Sequence, residues 1–178
     1  MILLYIDKEL ISKKLIEIAI NNNGNSLMYA PYYFRSNYEL VKKAINNNGI
    51  SFIYASTPLR SNKYLALLAL QNISNDNLYQ TCILKYLSDE LRDDKDIILK
   101  SVQKNGYSLE MSSIRLKNDY DIVFNAVKNN GLSIVYASSE LKNNINIVQE
   151  AVSQNGYAIR HIPQNLYNNY NIIKFAVI

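Results

Sequence analysis

The sequence predicts an all-α fold, a solenoid of short helical-hairpin repeats with a period of 25 residues and one lengthened repeat. The glycines provide the first observation, because they are spaced by 25 residues except for one step of 57, which is 25 plus 32. The second observation is that residues typical of helix caps, and apolar residues, recur with the same spacing. When the repeats are aligned they form columns, that is, sets of equivalent positions with similar residues, as expected for stacked repeats that share a core. The glycines are Gly24, Gly49, Gly106, Gly131 and Gly156.

The first half of each repeat is predicted to be a long helix of about eleven residues. It starts at a column of Asn or Asp, whose side chains accept hydrogen bonds from the free amides of a helix start. Apolar residues follow at offsets three, four, seven and eight, as in Leu40, Val41, Ala44 and Ile45. An Asn-Gly pair then ends the helix, and we expect its glycine to take the left-handed conformation. The cap column consists of Asn37, Asn62, Asp94, Asp119, Asn144 and Asn169, with Ser12 one repeat earlier.

The second half of each repeat is shorter and predicts one or two helical turns, as in residues 51–56. A second cap and a leucine three residues later start the next turn, so that each repeat closes into a tight helical hairpin. Small residues recur within the apolar stripe and let neighbouring helices approach to roughly 8–10 Å. The second caps are Ser56, Ser88, Ser113 and Ser138. The small residues are Ala19, Ala44, Ala69, Ser101, Ala126, Ala151 and Ala176.

Residues 1–178 are expected to form a single array. Residues 1–11 are a partial repeat, 12–69 and 94–178 are regular with the last repeat truncated, and 70–93 are lengthened and irregular. In that segment Ser74 replaces glycine, and the repeat gains seven residues, about two helical turns. The segment is either a lengthened helix that shifts the superhelix or a protruding element, which includes Tyr79, that recognises a partner. The apolar chain ends favour self-association or a tail that folds back.

The composition favours a soluble, intracellular protein. With 48% hydrophobic and 19% charged residues, the chain can bury a sizeable core. Its net charge of +4 is well below that of dedicated nucleic-acid binders. Cys82 is the only cysteine, which excludes a disulfide framework and favours a reducing compartment. The apolar segment at residues 1–4 is followed by charged residues at 7–9, so it is too short for the core of a signal peptide or for a membrane span.

The sequence lacks the residues that common catalytic and metal sites need. His161 is the only histidine and stands in a column occupied elsewhere by tyrosine, which favours a structural role. With a single cysteine as well, neither Cys–His catalysis nor a histidine-based metal site can be assembled, and no phosphate loop or metalloprotease motif is present. Carboxylate pairs such as Asp93 and Asp94 lie at helix starts, where they complement the helix dipole. We therefore expect no enzymatic activity and no cofactor.

A column of basic residues is the candidate partner-binding site. Stacked repeats would bring these side chains into a ladder that binds an acidic peptide or a phosphate backbone. In the alternative interpretation each stem covers apolar surface, each charged head lies in water, and Asp93, Asp94 and Asp119 offset the charge. The basic column consists of Arg35, Arg60, Arg92, Lys117 and Lys142.

A tyrosine column recurs in the second half of the repeats. Its rings either pack with hydrogen-bonded hydroxyls or stack nucleic-acid bases, and the position within every short helix favours packing. The tyrosine column consists of Tyr29, Tyr54, Tyr86 and Tyr136.

The aligned repeats follow the pattern N/D-x-x-I-V-x-x-A-V-x-x-N-G-x-S-Φ-x-Y-A-S-x-x-L-K/R-N/D, most clearly at residues 119–144. This pattern resembles a tandem-repeat family catalogued as a domain of unknown function, found in large DNA viruses of amoebae and in some intracellular bacteria. The resemblance extends over nearly the whole chain from Ser12 onward, and residues 126–138 are its most specific part. It implies a binding or scaffolding module without catalytic residues.

These observations lead us to expect a non-catalytic protein-binding scaffold or adaptor of viral or effector type. Its partner would be a host or viral protein, and it would act in the host cytoplasm without a membrane partner. A nucleic-acid-binding array that uses the basic column is the first alternative. A structural, self-assembling virion component is the second, and homo-oligomers could form through the apolar chain ends.

Overall fold

Every described element of the chain is helical, and no strand occurs among residues 13–73 and 83–176, which are the residues that the computed structural model describes. A long α-helix, a 3-10 helix and a short helix recur in this order. The predicted all-α helical-repeat fold is thus confirmed. The chain divides into an N-terminal unit, Met1–Leu91, and a C-terminal unit, Arg92–Ile178. That residues 1–178 form one array stays a prediction.

Outside the lengthened repeat, the predicted second half of the described repeats consists of two elements, a 3-10 helix and a short helix. The long helices are Lys13–Asn22, Tyr38–Asn47, Lys63–Gln71, Lys95–Lys104, Tyr120–Asn129, Ile145–Gln154 and Tyr170–Ala176. The 3-10 helices are Gly24–Tyr29, Gly49–Tyr54, Gly106–Met111, Gly131–Tyr136 and Gly156–His161. The short helices are Tyr32–Arg35, Thr57–Arg60, Asp89–Arg92, Leu116–Asn118, Ser139–Lys142 and Gln164–Leu166, and the two with three residues are 3-10 in type.

The long helices begin and pack as the sequence predicts. The Asn37 side chain accepts a hydrogen bond from the Leu40 N–H at 3.1 Å, and the caps at 62, 94, 119 and 144 do the same for their helices. The apolar residues at the predicted offsets, such as Val41 and Ala44, are fully buried. Most of these helices have ten residues, close to the predicted length, and Lys63–Gln71 has nine. The first predicted cap, Ser12, lies outside the described residues.

The predicted conformation of the glycines is wrong, because none of the described glycines has a positive φ. The long helix ends instead at an extended asparagine, as at Asn48 with φ −153° and ψ 116°. The Asn48 N–H still donates to the Ala44 carbonyl at 2.9 Å, and its side chain accepts from the Ile50 N–H at 3.1 Å. One asparagine therefore ends the long helix and caps the 3-10 helix that follows.

Close packing against the next repeat explains the glycines. A Cβ atom built on Gly24 would lie far inside van der Waals distance of the Ala44 carbonyl oxygen in the next long helix. The same contact recurs in both units, between Gly106 and Ala126 for example. The glycine column and the small column of the sequence are thus the two sides of one contact between neighbouring repeats. Ala19, in contrast, is only half-buried.

A side-chain amide holds three of the four described contacts in place, in an arrangement that we call the amide clasp. The Asn129 Oδ1 accepts a hydrogen bond from the Gly106 N–H at 2.7 Å, while its Nδ2 donates to the Gln103 carbonyl at 3.0 Å. Asn47 makes the same two bonds to Gly24 and Asn21. Gln154 accepts from the Gly131 N–H in the same way, but its Nε2 donates to the Asn129 carbonyl at 3.4 Å, one residue later than the equivalent position. One amide therefore satisfies a backbone donor and a backbone acceptor of the preceding repeat.

The clasp changes next to the lengthened segment. Because the helix Lys63–Gln71 ends one residue early, the Gly49 N–H donates to the backbone carbonyl of Asn72 at 3.2 Å instead of to a side chain. The predicted features of the segment itself, including Ser74, Tyr79 and Cys82, lie outside the described residues, as do the chain ends at 1–12 and 177–178. Their interpretations stay predictions.

Candidate binding surface

The five basic residues of the predicted column occupy equivalent places. Four of them are the last residue of a short helix, and Lys117 lies within the short 3-10 helix Leu116–Asn118. All five side chains are half-buried, which agrees with stems that cover apolar surface. The four helix-ending residues are Arg35, Arg60, Arg92 and Lys142.

The main chain of this column joins neighbouring repeats. The carbonyl of Arg35 accepts the N–H of Ser56 at 2.9 Å. In the C-terminal unit, the carbonyls of Arg92 and Lys117 accept the N–H groups of Ser113 and Ser138 at 3.0 and 2.9 Å. These bonds fix the backbone at the basic column, so the charged side chains project from anchored positions.

In the N-terminal unit, basic and tyrosine side chains lie side by side. The guanidinium carbon of Arg60 is 5.2 Å from the centroid of the Tyr86 ring, within range of a cation–π interaction, and its Nη2 donates to Thr57 Oγ1 at 3.1 Å. The Nε atoms of Arg35 and Arg60 are buried and have no hydrogen-bond acceptor within the described part of the chain. Two buried guanidinium N–H groups thus have no acceptor in the described residues.

The tyrosines of the same unit lie close enough to influence one another. Burial raises the pKa of Tyr54, and the neighbouring hydroxyls of Tyr29 and Tyr86 raise it further. Tyr29 and Tyr54 are half-buried, whereas Tyr86 is exposed. These three tyrosines, Arg60, and Arg35 at the equivalent position one repeat earlier make up what we call the Arg–Tyr strip.

The basic column of the C-terminal unit has a different environment. The Lys142 Nζ donates to the Val135 carbonyl at 2.7 Å, and burial lowers the pKa of this lysine. The ring of Tyr136 meets that of Tyr107 edge to face at 6.3 Å, and burial followed by the charge of Glu110 raises the pKa of Tyr136. In this unit the ammonium of Lys142 folds back onto its own repeat.

Two of the carboxylates expected to offset the basic column bind other cations. Asp93 accepts hydrogen bonds from Ser113 Oγ and from Arg115 Nε, the latter at 2.9 Å, and these bonds hold its pKa below the usual value. Asp119 lies 2.9 Å from Lys95 Nζ. The expected neutralisation by Asp93 and Asp119 therefore takes place at Arg115 and Lys95, outside the basic column.

The remaining predicted features contribute no site in the described residues. Tyr79 lies outside them, and His161 is exposed at the end of the 3-10 helix Gly156–His161. No group of three or more His, Cys, Asp or Glu side chains that could hold a metal ion is found in residues 13–73 and 83–176. In the same residues no helix combines the length and the apolar character needed to cross a membrane.

Sequence reasoning found the basic and tyrosine columns but missed the contact between them. Arg60 and Tyr86 are separated by the lengthened segment, so no regular spacing pairs them. The clasp residues were also missed, although an amide column at 47, 129 and 154 is visible once the repeats are aligned.

Comparison with known proteins gives one family. A model described as "Domain of unknown function (DUF4116)" matches four segments of the chain, 12–60, 62–117, 96–141 and 119–167. Together they extend over most of the chain, and each spans about two of the 25-residue repeats. No curated protein and no solved structure matches the chain.

Proposed function

Since the chain belongs to the DUF4116 family, whose description assigns no activity, we propose from its surface that it is a non-catalytic protein-binding module. The observation that carries the proposal is the Arg–Tyr strip of the N-terminal unit, where Arg60 lies 5.2 Å from the Tyr86 ring. Arg and Tyr are the residue types that contribute most binding energy at protein interfaces. The partner segment would lie along this strip.

The chemistry of the strip favours a segment that carries carboxylates. A carboxylate bonds a planar guanidinium, such as that of Arg35 or Arg60, through two oxygens. Both side chains are half-buried, so little conformational entropy is lost when a partner binds. The tyrosine rings supply apolar area next to the charges.

Nucleic acid fits this surface less well. Phosphate backbones are bound by many cations along one path, whereas the net charge is only +4, and Lys142 already donates to a backbone carbonyl. We place the action of the module in a reducing compartment, because Cys82 is its sole cysteine. The test below separates a protein partner from nucleic acid and from self-assembly.

A peptide selection tests the proposal. Random peptides displayed on phage are selected against the wild-type chain, and the dissociation constants of the enriched peptides are measured by fluorescence anisotropy. We expect enrichment of Asp and Glu, and a loss of affinity of at least about tenfold in the double variant Arg35→Glu, Arg60→Glu. The matched control, Lys100→Glu with Lys128→Glu, makes the same change in net charge at two exposed lysines and should stay within about threefold.

Three outcomes would overturn the proposal. One is that both double variants lose affinity equally, which would mean that only net charge matters. Another is that no peptide is enriched while a labelled oligonucleotide of about 20 nucleotides binds at low salt and is lost in the Arg variant, which would assign the surface to nucleic acid. The third is that sedimentation shows ordered self-assembly that buries the strip.

A further inference from the structure

A cleft of about 410 Å³ lies where neighbouring repeats of the N-terminal unit meet. This volume is within the range of ligand pockets. Tyr54 of the Arg–Tyr strip lines the cleft, so the cleft adjoins the strip. The other lining residues include Asn25, Asn48, Ile50, Asn72 and Ile73.

The cleft lies where the C-terminal unit has a tyrosine ring. Tyr107 and Asn25 both follow a repeat glycine, and the Tyr107 ring meets that of Tyr136 edge to face at 6.3 Å. Tyr136 is the equivalent of Tyr54 in the tyrosine column. The shorter side chain of Asn25 therefore does not fill the place beside Tyr54 that Tyr107 fills beside Tyr136. The residues that follow the other repeat glycines are Ile50, Leu132 and Tyr157, so Asn25 is the only polar residue without a ring at this position.

The polar lining of the cleft consists of uncharged side-chain amides. The Oδ1 atoms of Asn25 and Asn48 accept hydrogen bonds from Ser51 Oγ at 3.2 Å and from the Ile50 N–H at 3.1 Å, and these bonds do not use the Nδ2 groups. Asn72 donates through Nδ2 to a backbone carbonyl at 3.4 Å, which does not use its Oδ1. All three asparagines are half-buried. The lining thus suits an uncharged group that both donates and accepts hydrogen bonds.

We propose that this cleft binds a tyrosine side chain of the partner segment, an inference that rests on the protein-binding function proposed above. The ring would meet Tyr54 as Tyr107 meets Tyr136, and the buried side chains of Ile50 and Ile73 would supply apolar contacts. The tyrosine hydroxyl would bond to the asparagine amides. An aromatic side chain in a pocket is a typical anchor of a protein interface. The segment would place carboxylates at the strip and this ring in the cleft.

A titration with p-cresol, which is the side chain of tyrosine without its main chain, tests the cleft by itself. We expect the backbone amide NMR signals of residues 25, 50 and 54 in the wild-type chain to shift. Asn25→Tyr supplies the ring from the chain itself and should abolish these shifts. The matched control is Met28→Tyr, which adds a ring at an exposed position of the same 3-10 helix and should leave them unchanged. The absence of shifts at the cleft in wild type, or equal shifts in Asn25→Tyr, would overturn the proposal.

Peptides test whether the cleft and the strip bind one partner. Among the acidic peptides selected against the wild-type chain we expect a tyrosine at a fixed distance from the carboxylates. Replacing that tyrosine by alanine should weaken binding to the wild type at least about tenfold and binding to Asn25→Tyr less than about twofold, because the variant has already filled its cleft. Replacement by phenylalanine should have an intermediate effect on the wild type, since only the hydroxyl is lost. Fluorescence anisotropy measures the dissociation constants.

The outcomes separate this inference from the proposed function. If the peptide and protein changes simply add, or if no tyrosine is selected, the cleft is not the tyrosine site, and a loss of affinity in Arg35→Glu, Arg60→Glu would still support the strip. If the two changes are coupled but that double variant binds normally, the cleft stands and the strip does not. Dimers that p-cresol dissociates would assign the tyrosine to a second copy of the chain and overturn the proposal. If Asn25→Tyr does not fold, the titration of the wild type still decides.

Discussion

At the scale of single residues, the junction asparagine combines two roles that usually need two residues. Asn130 donates its N–H to the Ala126 carbonyl at 2.9 Å, which ends one helix, and its Oδ1 accepts from Leu132, which starts the next. Its extended backbone, with φ −149°, turns the chain within one residue. Gly131 can then approach the carbonyl of Ala151 in the following repeat.

The first prediction concerns Gly131. Gly131→Ala should lower the free energy of unfolding by about 1–3 kcal/mol, because the new methyl group overlaps the Ala151 carbonyl and the repeats must separate. Urea unfolding measures the loss. Gly156→Ala is the matched control: its glycine is only half-buried, so the loss should be smaller. Equal losses at both positions would point to the backbone conformation instead of the contact.

The second prediction concerns pH and the ion pair of Lys95 with Asp119 and Asp121, both at 2.9 Å. Although burial acts to raise the pKa of Asp119, hydrogen bonds from Lys95 and the Ile122 N–H lower it. The hydrogen bonds to Asp119 and Asp121 raise the pKa of Lys95. A lowered acid pKa stabilises the fold above the unfolded value of about 4, and a raised lysine pKa stabilises it below about 10.4.

We therefore expect the stability difference between wild type and Lys95→Met to be constant in the neutral range. It should shrink as the pH falls through the folded pKa of Asp119 and as it rises through that of Lys95. Urea unfolding at a series of pH values measures this difference. Lys100 is an exposed lysine of the same helix, and Lys100→Met should show no such dependence on pH. A pH-independent difference for Lys95→Met would contradict the role of the ion pair between Lys95 and the two aspartates.

At the scale of elements, the long helices could be predicted because their signals are local. The cap at Asn37 and the stripe from Leu40 to Ile45 lie within one helix, and both are found as predicted. The clasp could not be predicted this way, because Asn129 contacts residues 23 and 26 positions earlier. The glycine conformation was predicted wrongly for the same reason. Glycine is favoured both by a left-handed helix end and by a close contact with another helix, and only the position of the neighbouring repeat shows which of the two applies.

The third prediction concerns the packing of the long helices. Ala126 is fully buried in the helix Tyr120–Asn129, and Ala126→Leu should cost about 1–3 kcal/mol through overpacking. Thermal or urea unfolding provides the measurement. Lys128→Leu, on the exposed side of the same helix, is the control and should have little effect. An unchanged midpoint for Ala126→Leu would mean that the assigned face is wrong.

At the scale of the whole molecule, the period of 25 residues was enough to predict the fold class. The binding surface was predicted only in part. The basic column could be predicted, but nothing in the residue pattern indicated that Arg60 contacts Tyr86 or that Asp93 pairs with Arg115. Side-chain partners depend on which rotamers the stacked backbones allow, and alignment of the repeats carries no such information.

The fourth prediction concerns how instability spreads. In repeat proteins each repeat contacts mainly its neighbours, and each unit here has its own buried residues, such as Phe52 in the N-terminal and Val123 in the C-terminal unit. Hydrogen exchange of Gly131→Ala should therefore accelerate within residues 92–176 and stay near the wild-type rates within residues 13–73. Acceleration throughout the chain would show that the two units unfold together.

The amide clasp has a consequence for how such a chain changes its length. At Asn47 and Asn129 its bonds join residues 23 and 26 positions apart, so the new junction made by duplicating or deleting 25 residues would find the same partners. A change of any other size leaves a glycine amide facing the wrong side chain. Gain or loss of a whole 25-residue repeat therefore keeps these hydrogen bonds in register.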